Sequence, residues 1–273
     1  MRQTRRGVLS LVLLLSGVSS AQMLNDRAPP QHRFVYKNTT ALRVNPLGLL
    51  DDARFNYRLR LYESESKALR DNFIGIGVAP TLSPAMVKVG PYVEFNPTTV
   101  FGLWSTIQFV QYFGSFNLLQ SFPGAQSNFS DTAIKNLGAT RQPTNGFEVT
   151  IGANLNLKFG PIVVRSFFRA VYGSMKLRPG DRVYYDQFYD VLMGNQGWAL
   201  TNDADVLVQF FENRFVAGAR YTLTVPLYAR SRHYDPDDPV QQVNNAMHRV
   251  GPLVGYTFFS EDGAGFNNPT IFL

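Results

Sequence analysis

Nine basic residues recur on a two-residue phase that could bind or steer anions. Arg54, Arg58 and Arg60 share one phase of one segment, and Arg165 and Arg169 share one phase of another. Lys88, Lys158, Arg220 and Arg249 take the corresponding phase in further segments. Residues two apart on an extended chain point the same way, so each set would form a ladder of positive charge. Glu94, Glu148 and Asp205 fall in the same phase and could pair with it. Two chemistries follow. Along a water-filled path the ladder would concentrate anions. In a narrow interior it would be salt-bridged and only hold the fold together.

Other chemistry is sparse. The chain has three histidines and no cysteine. Acyl transfer by a serine needs a histidine base and a third group to orient it. His32 lies in a polar N-terminal stretch, His233 in a polar loop, and His248 in Met247-His248-Arg249 without a neighbouring serine. His248 reads as a residue at the mouth of a strand, and no enzyme is expected. Asp235, Asp237 and Asp238 offer oxygen ligands but lack the spacing of a calcium-binding loop, so they read as a solvated loop tip. Gly75 and Gly77 begin like a dinucleotide-binding turn. The third glycine and the following helix are missing, so they read as a strand with small side chains. No metal or cofactor is expected.

The elements that would position the ladders come next. From Phe147 to Phe159, the odd positions are apolar and the even positions are polar or glycine. That period belongs to a β-strand with one face of each kind. An ordinary half-buried strand is about 5–6 residues long, whereas a tilted strand crossing a bilayer needs about 9–11. The same alternation returns about ten times, for example over Ala53–Tyr62, Val87–Phe95, Phe101–Phe109 and Phe215–Leu227. Ala41–Leu50 is a first strand broken by Pro46 and Gly48. Long polar stretches near 114–146, 176–201 and 230–246 alternate with tight turns at 96–98, 160–161 and 212–214. Within 176–201, Tyr185, Phe188, Tyr189 and Leu192 have helical spacing, so a short loop helix competes with a strand extension.

The N-terminus has the order of an export leader. MRQTRR is basic, GVLSLVLLLSGV is apolar, and Ser19-Ser20-Ala21 gives a small-residue cleavage pattern before Gln22. Arg5-Arg6 resembles a twin-arginine signal, but that route carries folded cargo, and a membrane barrel must be exported unfolded. Residues 22–40 read as a polar periplasmic tail and 41–273 as the folded unit. Of 26 Lys and Arg, the leader holds Arg2, Arg5 and Arg6, leaving 23 against 20 Asp and Glu, a net +3. With no basic patch interleaved with stacking aromatics, no nucleic-acid partner is expected.

Over about residues 41–273 plus the leader, the pattern resembles Gram-negative outer-membrane β-barrel proteins, and porin-like barrels in general. The resemblance implies an all-β, transmembrane, antiparallel up-and-down barrel with an even strand count, twelve rather than ten. It also implies short periplasmic turns, long outer loops, contact with outer-membrane lipid and assembly by the barrel-insertion machinery. Such chains often end on an aromatic residue; here Phe272 is penultimate. The lumen would then be lined by Arg54, Arg58, Arg60, Lys88, Glu94, Glu148, Lys158, Arg165, Arg169, Arg220 and Arg249. The expected function is passage of small polar or anionic solutes. The alternatives are a non-conducting surface barrel whose outer loops bind a partner and, third, a lipid-modifying barrel enzyme.

Overall fold

A computed structural model describes residues 12–17, 29–44, 47–113, 119–136, 143–211, 213–235, 243–259 and 269–273. In chain order the strands begin with β1 (Val12–Gly17), β2 (His32–Val44), β3 (Leu47–Arg60), β4 (Phe73–Val78), β5 (Thr81–Leu82) and β6 (Met86–Val89). Next come β7 (Pro91–Asn96), β8 (Phe101–Tyr112), β9 (Leu119–Phe122), α1 (Asp131–Asn136), β10 (Thr144–Phe159) and β11 (Ile162–Met175). The rest are β12 (Val183–Asp186), β13 (Val191–Gly194), β14 (Gly197–Phe210), β15 (Phe215–Pro226), α2 (Arg230–His233), β16 (Met247–Thr257) and β17 (Pro269–Phe272).

The protein is all-β and antiparallel, with up-and-down connections. Among the described residues, fourteen strand segments form one sheet in the order β10-β11-β14-β15-β16-β17-β1-β2-β3-β4-β7-β8-β6-β5, with further pairings of β10 to β8 and of β3 to β5. Two of its strands are interrupted. β3 pairs with β4 and then with β5, and β8 pairs with β7 and then with β6. The break falls at Ala79-Pro80, where proline has no N–H for the ladder. The freed backbone groups are satisfied nearby: Gln108 Nε2 donates to the Ala79 carbonyl at 2.6 Å, and the Ala53 N–H donates to Pro80 O at 2.9 Å.

The longest alternating segment is β10, which runs in register with β8 on one side and β11 on the other. The faces of this sheet have inverted polarity. On β8, Ile107 is 57% exposed and its neighbour Gln108 only 6%; on β14, Val206 is 58% exposed and Asp205 is fully buried. The same division holds on β3, where Phe55 and Tyr57 are exposed and Asn56 and Arg58 are buried.

The N-terminal boundary differs from the sequence reading. β2 starts at His32, so residues 32–40 are strand, β2 pairs with β3 as far as Val44 and Leu47, and Pro46 lies outside the described residues. Asn38, Thr39 and Thr40 interrupt the apolar phase of that strand, which hid it. β1 lies inside the expected leader, where it pairs with β2 and β17.

The stretches near 114–146, 176–201 and 230–246 all leave the same end of the sheet, and part of their length is folded. β9, β12 and β13 form a separate antiparallel sheet in the order β13-β12-β9. Tyr185 and Leu192, whose spacing fitted a loop helix, are on strands β12 and β13 and face each other in register. Every residue of these three strands is buried. Tyr184, Val191, Met193 and Leu119 pack toward the large sheet against Met86, Val110, Tyr112, Val171, Met175 and Ala199. Val183, Tyr185, Leu192 and Phe122 pack the other way, against Tyr234, Phe129, Ile134, Tyr228 and Val243. This small sheet is therefore the middle layer between the strand wall and the loops.

Candidate functional site

The buried face of the large sheet carries the predicted charges, and register decides who meets whom. Arg165, Asp205 and Arg220 occupy one rung across β11, β14 and β15. Asp205 accepts from Arg165 Nη2 at 2.7 Å and from Arg220 Nε at 2.6 Å. One rung along, Asp203 accepts from Thr222 Oγ1 and, diagonally, from Arg169 Nη2, both at 2.6 Å.

A second cluster forms around Glu94 on β7. Its carboxylate accepts from Arg58 Nε at 2.5 Å, Asn56 Nδ2 at 3.0 Å and Tyr92 Oη at 2.9 Å. The Arg58 guanidinium lies 4.0 Å from the Phe73 ring centroid. Arg54 stacks on Tyr92 and Trp104, 4.9 and 4.6 Å from their centroids, and reaches Asp52 at 3.5 Å. Charges taken out of water are tolerated only when paired and hydrogen-bonded. These two clusters meet that condition on separate parts of the wall.

The remaining predicted residues sit toward the ends. Lys88 Nζ donates to Glu148 Oε2 at 2.7 Å, bridging β6 and β10 across β8. Arg249 Nη2 donates to Asp190 Oδ2 at 2.8 Å, on the turn between β12 and β13. At the tight-turn end, Arg60 donates to the Pro29 carbonyl at 2.8 Å and pairs with Glu63, and Lys158 donates to Asn213 at 3.0 Å. The eleven predicted residues thus do not form one continuous ladder. They divide into the Glu94 cluster, the Asp203–Asp205 cluster, the Lys88–Glu148 pair and three end contacts.

Sequence reasoning missed the acidic partners Asp52, Asp190 and Asp203. Asp203 was legible, because it lies two residues from Asp205 in the same phase. Asp190 was not, because it lies in a turn between strands that themselves went unread. Asp186 was missed for the same reason. It is the last residue of β12, buried and within electrostatic reach of Lys88 and Glu148. Burial raises its pKa, against the lowering effect of Lys88. Tyr184, buried beside it, is pushed well above its usual value by desolvation. Its hydroxyl stands where a side chain on Gly173 would be, 1.9 Å from the position of the missing Cβ. Only glycine lets the small sheet lie this close to β11.

The histidines have structural partners. His32 and His248 each bond a tyrosine hydroxyl, Tyr57 at 2.6 Å and Tyr221 at 2.7 Å. His233 is buried. Its Nδ1 accepts from the Ala229 N–H at 2.9 Å, which leaves the proton on Nε2 to donate to the Asn195 carbonyl at 2.9 Å. Desolvation lowers its pKa below 6.5. Of the three aspartates in the last polar loop, Asp235 is described, and Asp237 and Asp238 lie outside the described residues.

Compared with protein-family models, with curated proteins and with solved structures, the chain matches none.

Proposed function

We propose that the protein is a transmembrane β-barrel of a Gram-negative outer membrane, closed to free diffusion when its small sheet is in place. The observation that carries this reading is the inverted polarity of the large sheet. A water-soluble protein buries its apolar face and exposes its charges. Here Ile76, Ile107, Val206 and Phe109 are exposed while Asp205, Glu94 and Glu148 are buried. Apolar side chains outward and charges inward is the arrangement that lipid demands, since an Arg or Lys facing the bilayer midplane costs about 2–4 kcal/mol.

Three further features support it. The pairings run from β8 through β10, β11, β14, β15, β16, β17, β1, β2, β3, β4 and β7 back to β8, which is the connectivity of a closed ring. Counting β4 with β5 and β6 with β7, fourteen segments become twelve staves, or eleven once β1 leaves with the leader. Closure also reduces the free edges, as an apolar solvent requires, the shortest pairing being β16 with β17 over Gly255–Thr257. Finally, exposed and half-buried aromatics flank the apolar band. Phe147, Tyr172 and Trp198 lie in a row at one end, with centroids 6.0 and 5.3 Å apart, and Phe210 and Phe215 lie 6.0 Å apart at the other. From Phe147 to Phe159 the strand advances about 40 Å at ~3.3 Å per residue. At a tilt of ~40° this is about 30 Å of membrane, close to the known hydrocarbon thickness.

Within that barrel the predicted basic ladders are tied to acids, and the small sheet fills the outer mouth. This favours a barrel that does not conduct freely over an open porin-like pore. Passage of small polar solutes then requires the mouth sheet to move. Flotation with liposomes after refolding, together with heat-modifiable migration on gels, tests the membrane reading. Recovery as a soluble monomer would end it.

A further inference from the structure

The β12–β13 hairpin crosses the whole mouth, and its two ends are held differently. Its root is joined to β11 and β14, and there the contacts are buried. Tyr184 packs into the space above Gly173, and Asn195 Oδ1 accepts from the Met175 N–H at 2.8 Å. Its tip, 187–190, reaches β2 and β16. β2 stands six neighbours from β11 in the pairing order, the opposite side of a twelve-stave ring. No strand pairing joins the tip to that wall among the described residues. Two arginine side chains hydrogen-bond it there. Arg43 donates to the carbonyls of Phe188, at 3.2 Å, and Gln187, and Arg249 donates to Asp190 at 2.8 Å. Both arginine contacts are reached by solvent: the Arg249 and Asp190 side chains are 31% and 26% exposed.

The surface beneath the hairpin is also adaptable. The chain has six methionines, and the four beyond Met23 all meet in this one core: Met86, Met175 and Met193 within it and Met247 against it. Methionine is unbranched and repacks with little penalty. A buried root, a far tip held by two solvent-reached arginines and by the buried Tyr189 ring, and a methionine-lined seat are the parts of a hinged strap.

Resting on the membrane-barrel reading above, we propose that the β12–β13 hairpin is the gate of this lumen and that Arg43 and Arg249 are its latch. Swinging the tip off β2 and β16 opens the mouth while the root stays in place. Because the latch is electrostatic and wetted, salt screens it.

The test uses the full chain refolded into liposomes and planar bilayers in KCl. The parent should be mostly closed at 0.1 M and open more often at 1 M. Arg43→Ala with Arg249→Ala should raise open probability at least tenfold at low salt. Since the chain has no cysteine, Arg249→Cys with Asp190→Cys gives one addressable pair. Bridging it with a short bifunctional thiol reagent should abolish openings, and the unbridged pair should conduct like the alanine variant. Protein that fails to float with liposomes overturns the membrane reading and the gate with it. Protein that floats, while the alanine variant stays as silent as the parent or the bridged pair conducts like the unbridged one, overturns the gate alone.

Discussion

The strand wall and the mouth sheet bury the same kinds of residue by opposite routes. In the wall, strands of 12 and 14 residues such as β8 and β14 bury Gln108 and Asp205 and leave Ile107, Phe109 and Val206 exposed. In the mouth, strands of four residues bury both faces. The wall is held by backbone ladders and by ion pairs whose partners face each other across neighbouring strands, such as Arg165, Asp205 and Arg220. The mouth is held chiefly by apolar packing between two layers, with few charges, among them the buried Asp186 on its middle strand. A wall of this sort is stable because most of its interior charges are paired, as Arg165 and Arg220 are on Asp205. A mouth of this sort is closed because shape fills it. The first fails when a charge loses its partner, the second when a layer is pushed out.

The largest expected effect is therefore in the wall. Asp205→Ala leaves Arg165 and Arg220 facing each other without their shared acid. Breaking a buried charge network in this way costs about 3–5 kcal/mol. The midpoint of urea unfolding in lipid, read by heat-modifiable migration, should fall sharply. A variant as stable as the parent would show that the interior is hydrated enough to screen those arginines.

Next is a change that spares the wall and dislodges the mouth. In Gly173→Val the new side chain takes the place of the Tyr184 hydroxyl. Overpacking of this sort costs about 1–3 kcal/mol. The protein should still migrate as folded, but trypsin should cut after Arg178 and Arg182 faster than in the parent. Loss of the folded band would mean that wall and mouth form a single unit.

A smaller effect separates the mouth from its outer layer. His233 accepts the Ala229 N–H at the start of α2 only when neutral, because protonation puts a hydrogen on Nδ1. Its folded pKa is lowered relative to the unfolded 6.5, so its contribution is complete above pH 6.5 and is lost as pH falls below that value. Hydrogen exchange at residues 229–233 should accelerate several-fold between pH 7 and pH 5, with the wall amides following only the intrinsic pH dependence. His233→Gln should abolish the excess acceleration. An unchanged pH profile in that variant would place the sensor elsewhere.

The smallest effect concerns ion preference. Arg58 is on Glu94 and Arg169 on Asp203, so an opened lumen should select only weakly for anions, with a reversal potential near zero in a KCl gradient. Arg58→Glu with Arg169→Glu should shift it toward cations, most clearly at low salt. A strongly anion-selective parent would mean that the ion pairs do not neutralise the ladder.

The N-terminus sharpens what counts as wall. Sequencing of membrane-extracted protein should find Gln22 first, as the leader pattern predicts. β1 then leaves the seam, and β17 and β2 have to meet. Met1 on the folded barrel would make β1 a permanent stave.

The sequence by itself determined the wall. Alternation depends only on neighbours two apart, so the strands through Phe55, Ile107, Ile151 and Val206, and the inward phase of Arg58, Glu94, Arg165 and Asp205, were legible without a fold. It did not determine the partners, because register across strands is a long-range property: that Arg165, Asp205 and Arg220 share a rung depends on how β11, β14 and β15 align. The mouth was still less legible. β12 and β13 are buried on both faces, so their four-residue runs carry no polar phase, and Tyr185, Phe188, Tyr189 and Leu192 mimicked a helix. That these residues close one end of the sheet was decided only in three dimensions, where Gly173 leaves room for Tyr184 and Arg249 finds Asp190 on the tip of a hairpin rooted between β11 and β14.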